Sequence, residues 1–259
     1  MSTMVSTDKR AVHFDTPAPM PGTNVSTLAA APLIPTAPRK PGTSPFSLYA
    51  YSFIRAGGSR GAPLGSGQYG GSQSGLVATY ALSRFAAEPG TTGMALLLRG
   101  AIAHDDPAER EIALGLRWQP FRQIPVGLSV ERRFRNARDD AYSAYVAGGL
   151  SEQKLPHDFR IEAFAQAGFV SNRRGGLFFD ASARADRHIA RVGGMPIDAG
   201  IGLWAGGQKH VFRVDAGPSI TGRFPVADIE LRISADWRFR IAGDARPASG
   251  PALTLSTAF

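Results

Sequence analysis

The sequence predicts an all-β fold: a transmembrane, antiparallel, up-and-down β-barrel of about twelve strands. Three observations carry this. Long segments alternate apolar and polar residues with period two. The charged residues fall on one face of those segments with small residues between them. The final segment ends on an aromatic residue, Phe259. No run approaches the roughly 18 apolar residues of a spanning helix, since the best, Met94 to Leu98, stops at Arg99. Barrel strands hide from such hydropathy windows because only every second residue meets lipid.

The chain begins with a segment of different character. Residues 1–44 hold seven prolines among Ser, Thr and Ala and carry almost no aromatic residues. They read as a disordered tail or linker that cannot bury a core. They do not read as a secretion signal, because the apolar stretch Leu28 to Ile34 is short and broken by Pro32.

From residue 45 to 259 the period is two, and strands are expected at 46–55, 73–84, 94–103, 111–118, 126–134, 141–150, 159–170, 177–187, 198–207, 211–224, 229–241 and 251–259. The first, the sixth and the eighth alternate poorly. In the fourth, Ile112, Leu114, Leu116 and Trp118 oppose Glu111, Ala113, Gly115 and Arg117. In the fifth, Val126, Leu128 and Val130 oppose Gly127, Ser129, Glu131 and Arg133, and Arg132 interrupts the apolar face. In 211–224, Phe212, Val214, Ala216, Pro218 and Ile220 oppose Arg213, Asp215, Gly217, Ser219, Thr221 and Arg223. The cleanest segment is 229–241, where Ile229, Leu231, Ile233, Ala235, Trp237, Phe239 and Ile241 oppose Glu230, Arg232, Ser234, Asp236, Arg238 and Arg240. Thirteen residues exceeds the five or six typical of globular strands and suits a tilted membrane strand of about 9–11 residues with its rims. Gly, Pro, Asp and Asn fill the gaps, as in Pro89-Gly90 and Asn136 to Asp140.

Charge and composition narrow the chemistry. Cysteine is absent, which removes thiolate metal sites, cysteine nucleophiles and disulfides. The formal charge is +8 and the basic residues are nearly all Arg. A basic chain can meet nucleic acid or anionic lipid, and base composition of the genome explains an arginine bias as well. No nucleic-acid partner is expected. Burying the charged strand faces in a dry core costs several kcal/mol per ion unless they pair. A water-filled lumen keeps them hydrated, and the apolar faces then meet lipid. A soluble β-sandwich or barrel with charged outer faces explains the alternation equally well, but not the strand length or the chain end.

The expected lumen lining is Glu131, Arg133, Arg160, Glu162, Arg213, Asp215, Arg232, Asp236, Arg238 and Arg240, as a wet charged surface or an ion-pair ladder. Leu253, Leu255 and Phe259 share a face of the last strand and fit an assembly signal, with outer-membrane lipid and the barrel-assembly machinery as partners. Cofactors and metal ligands are not expected. Asp105-Asp106 and Asp139-Asp140 read as solvated turn formers.

Enzymatic activity is not expected either. His13 lies in the tail, and His104, His157, His188 and His210 fall in or beside turns; no spacing places one beside a nucleophile and an acid. Gly57-Gly58-Ser59-Arg60-Gly61 matches a nucleophile elbow in letters, but a Gly-rich run follows where a helix is needed. An outer-membrane hydrolase, the least favoured alternative, predicts loss of turnover on mutating Ser59, His104 or His210.

Several short segments carry a resemblance. They are Gly70-Gly71-Ser72-Gln73-Ser74-Gly75, Ala165-Gln166-Ala167-Gly168, Trp204-Ala205-Gly206-Gly207-Gln208 and Arg213 to Ser219. The stretch from Asp236-Trp237-Arg238-Phe239-Arg240 through Gly243-Asp244-Ala245 to Ser249-Gly250-Pro251 is the most telling. Together they resemble the C-terminal barrel domain of bacteriophage adsorption protein A and the related barrel of cellulose-synthase operon protein C, over roughly 45–259. The resemblance implies a Gram-negative outer-membrane, porin-like conduit for exopolysaccharide export or phage adsorption, with a polysaccharide and a periplasmic helical-repeat scaffold as partners. A structural or surface-receptor barrel with a closed lumen is the alternative.

Overall fold

The computed structural model describes residues 44–56, 71–82, 93–106, 108–121, 124–136, 139–171, 176–208, 211–226 and 229–258. The Pro-rich segment 1–43, Ser59, His210 and Phe259 lie outside them. The described strands are β1 (Phe46–Arg55), β2 (Gln73–Ala81), β3 (Gly93–Ala103), β4 (Arg110–Gln119), β5 (Val126–Arg135), β6 (Ala141–Lys154), β7 (Phe159–Ser171), β8 (Gly176–Val192), β9 (Met195–Gln208), β10 (Val211–Val226), β11 (Ile229–Gly243) and β12 (Gly250–Ala258). Each pairs antiparallel with its sequence neighbours, and β1 pairs with β12, so the sheet closes on itself. Closure leaves no open edge, the condition for crossing lipid with strands.

Alternation sets the two walls. On β5, Gly127, Ser129, Glu131 and Arg133 are buried, while Leu128, Val130, Arg132 and Phe134 are exposed. On β11, Ser234, Asp236 and Arg238 are buried between exposed Ala235, Trp237 and Phe239. Exposed large apolar residues stand on all twelve strands, Leu177 at 74% and Ile201 at 69% the extremes, and an apolar surface of that extent marks contact with a membrane or partner. The molecule is inside out: charge within, hydrocarbon-like surface without.

The weakly alternating segments fold as well, for reasons absent from a simple polar/apolar count. β1 turns Tyr49, Tyr51 and Phe53 inward with Arg55. Gly75 stands directly opposite Tyr51, and a Cβ there would lie 2.4 Å from the tyrosine ring, so the missing side chain is the ring's seat. β8 and β9 are longer than expected from sequence, running to Val192 and from Met195. Gly193 and Gly194 take φ of +59° and +84°, which closes a two-residue hairpin and carries the ladder through the expected gap.

The barrel therefore has two ends. The start of β1, the end of β12, the β8–β9 hairpin and a short 3-10 turn, Pro156–Asp158, share one; the ends of β1, β3, β5 and β11, with 244–249, share the other, called here the loop end.

Candidate functional site

The inward faces converge on carboxylates held between guanidiniums. Asp198 on β9 is fully buried, forms an ion pair with Arg160 of β7 at 2.7 Å and accepts a hydrogen bond from Arg223 of β10. Asp236 of β11 receives Arg184 of β8 and Arg238 of its own strand, each at 3.2 Å, and the Ser219 hydroxyl at 2.7 Å. Asp215 of β10 lies between Arg55 of β1 at 2.7 Å and Arg213 at 2.6 Å. In the other half, Arg99 reaches Glu131 at 2.8 Å and Glu111 at 3.1 Å; Arg133 also meets Glu111 at 2.7 Å, and Tyr145 donates to Glu131 at 2.6 Å. Two cations for one anion offset the desolvation that a single partner leaves unmet.

Several of these pairs cross the lumen instead of following the wall. Arg232 of β11 meets Glu162 of β7 at 2.6 Å, four strands apart around the sheet. Arg184–Asp236 and Arg55–Asp215 each span three. Aromatic rings fill the space between. Tyr49, Tyr51 and Phe53 cluster with Val77, Leu97 and Ala252, and Tyr145 packs on them from β6. The Arg238 guanidinium sits 4.2 Å over the Trp204 ring and 4.6 Å over Phe53, joining the ionic wall to the aromatic one.

At the loop end the connection 244–249 is tied into the lumen by arginines. Within 244–249, Ala245 and Pro247 are buried, Ala245 only 2% exposed. Arg213 donates to the carbonyls of Ala245, Pro247 and Ala248, Arg55 to that of Ala248, and Arg240 to that of Ala245. Below this cover lies a cavity of about 330 Å³ lined by Tyr49, Trp204, Asp180, Arg184 and Arg232, and it reaches Glu152 and Glu230 at the terminus end. The cavity thus runs beside a half of the interior filled by aromatic side chains. Ion pairs across the lumen compensate much of the charge, as the expected ion-pair ladder does, and charged side chains also border the cavity.

The residues expected to line a lumen all stand on inward-facing positions. Glu131, Arg133, Glu162, Arg213, Asp215, Asp236 and Arg238 are buried, and Arg160 and Arg232 are half-buried. Arg240 lies at the loop-end rim, exposed, with Asp215 its ladder partner. Leu253 and Leu255 point outward from β12. Arg55, Arg99, Arg184 and Asp198 were not singled out from sequence, because they sit in strands where alternation is weak or at a strand end. Asp139 and Asp140 do more than solvate a turn: Arg135 donates to the Asp139 carbonyl at 2.6 Å, and Asp140 meets Arg132 at 3.5 Å. Arg132 faces outward, its guanidinium 4.9 Å above the Phe134 ring.

Exterior aromatics collect near the two rims. Phe46, Tyr80, Trp118 and Phe121 lie toward the terminus end, and Phe134, Tyr142, Phe169, Phe179 and Phe212 toward the loop end. Two such girdles flanking an apolar band are the outer signature of a transmembrane barrel.

One further pair was not legible in sequence. His104, just beyond β3, places Nε2 2.8 Å from the Ser74 hydroxyl of β2, and Ser74 bonds Ser52 of β1 at 3.0 Å.

No family model and no curated protein matches this chain. Among solved structures it is similar to a bacterial polysaccharide outer membrane secretin, at 10% identity and a TM-score of 0.40, covering 83% of this chain and 97% of that one. It is also similar to the beta domain of the Bordetella autotransporter BrkA, at 15% identity and 0.40, covering 83% and 99%. LpxR from Salmonella typhimurium matches at 8% identity and 0.41, covering 82% and 99%. At these scores the likenesses carry nothing about function.

Proposed function

We propose that this chain is an outer-membrane barrel with an occluded lumen, working from its rims and outer wall instead of passing solutes through its centre. The observation that carries this is the inward loop 244–249, bonded by Arg213, Arg55 and Arg240 across the loop end above lumen-crossing pairs such as Arg232–Glu162. Of the two roles the resemblance implies, polymer export needs a continuous wet path past these contacts. Adsorption needs only an exposed loop-end surface, which an occluded barrel offers. The apolar wall with its two aromatic girdles supports the membrane placement.

Planar-bilayer recording tests this. Folded protein added from detergent is expected to insert, by flotation with the lipid, and to give no resolved conductance steps. Steady ohmic steps from the unaltered chain would establish an open conduit and overturn the reading.

A further inference from the structure

We propose that Ser74 and His104 form a nucleophile–base pair on the outer wall of the barrel, at its loop end, that hydrolyses the carboxylic ester of an anionic amphiphile such as a phospholipid. The proposal rests on the membrane placement argued above, since it is lipid that the outer wall would meet.

The first ground is geometry. A serine hydroxyl 2.8 Å from an imidazole nitrogen is within the reach that proton transfer needs. His104 is tied by its backbone, its N–H donating to the Ser72 carbonyl at 2.9 Å, so the ring hangs from a fixed point above β2. Among the described residues no carboxylate bonds the other ring nitrogen. The arrangement is a dyad whose Ser74 hydroxyl has two acceptors to turn between, the Ser52 oxygen at 3.0 Å and Nε2 of His104 at 2.8 Å.

The second ground is which way the pair faces. Gln73 is buried in the interior and the Gly75 Cβ position points at Tyr51, so Ser74 between them points outward. One rung of the sheet runs Ser52, Ser74, Ile102, Arg110 across β1 to β4, each pair in register. Ile102 is exposed beside the serine, and Ile54 is exposed two residues along β1 from Ser52, which gives an acyl chain an apolar track. Arg110 precedes buried Glu111 and so also faces outward. It lies two strands from Ser74, about 10 Å at the usual strand spacing, and no described side chain pairs with it. A nucleophile, an apolar track and a cation along one rung match an ester flanked by hydrocarbon on one side and a phosphate on the other.

The reaction balances with water alone. The Ser74 Oγ bonds to the ester carbonyl carbon while Nε2 of His104 takes its proton. The carbon–oxygen bond to the alcohol then breaks, and the alcohol leaves with that proton. Water, deprotonated by the same nitrogen, attacks the acyl-serine, releasing the carboxylic acid and restoring the hydroxyl.

The test uses the full chain folded in detergent, with its barrel verified by heat-modifiable migration. It is exposed to a fluorophosphonate probe and, separately, to dioleoylphosphatidylglycerol micelles with fatty-acid release read by mass spectrometry. The expected results are a phosphonate on the Ser74 peptide and measurable release. Ser74→Ala should lose both. His104→Gln should lower kcat by about 10²–10⁴-fold with migration unchanged. Arg110→Gln should raise KM for phosphatidylglycerol several-fold at unchanged kcat, with no change for phosphatidylcholine. A folded barrel that releases no fatty acid, or activity and labelling that survive Ser74→Ala, would overturn the proposal. A chain whose migration ignores boiling and that stays soluble without detergent would overturn the membrane reading first, and this assignment with it.

Discussion

The lumen has two unlike walls. From β7 to β11 the inward positions are arginines and carboxylates, and from β1 to β3 they are chiefly aromatic and aliphatic: Tyr49, Tyr51, Phe53, Val77 and Leu97. The two need each other. Ions crossing a lumen attract strongly only where water is kept out, and the aromatic wall excludes it from the side. The ionic wall in turn gives those rings a partner of definite position, since Arg238 lies against both Trp204 and Phe53. A barrel with charge on every strand would hydrate, and one with rings on every strand would have little to fix the cross-lumen pairing.

That contrast can be broken from either side. The largest effect is expected at Asp198, whose removal leaves Arg160 and Arg223 without their shared buried anion. Asp198→Ala should cost about 3–5 kcal/mol in urea unfolding from detergent micelles, followed by loss of the fast-migrating folded band. On the aromatic wall, Gly75→Ala drives a methyl group into the Tyr51 ring and should cost about 1–3 kcal/mol in the same assay. Phe53→Leu keeps most of the apolar bulk but removes one face of the Arg238 contact, for about 1–2 kcal/mol. The smallest effect belongs to the exterior. Arg132→Gln loses an exposed contact with the Phe134 ring and should change stability by at most about 1 kcal/mol.

The same contrast explains what the sequence disclosed. The ionic wall announces itself, because every charge of β10 and of β11 falls on one parity, opposite a largely apolar face. The aromatic wall does not. In β1 both faces carry uncharged residues, so Tyr49, Tyr51 and Phe53 read as a weak strand of undecided orientation, although its limits, 46–55, match those expected. Ladder continuity past Arg187 was hidden by a turn made of two glycines in a stretch whose charges alternate poorly. Lumen occlusion lies beyond any single-strand pattern. Alternation tells which side chains face inward, not that Arg232 reaches Glu162 four strands away or that 244–249 folds inward. The Ser74–His104 pair is likewise a product of register, since the two residues lie thirty positions apart and meet only through the β2–β3 ladder.

The central claim is that each strand sends its charges inward and its apolar residues into lipid, and the three tryptophans test it most directly. Trp118 and Trp237 are exposed on the outer wall, and Trp204 is buried inside against Arg238. Single-tryptophan variants would be reconstituted in vesicles of lipids brominated along the acyl chain and their fluorescence compared with that in unbrominated lipid. Strong quenching of Trp118 and Trp237 with little change in Trp204 is the predicted result. Equal quenching of all three, or protection of Trp118 and Trp237, would contradict it.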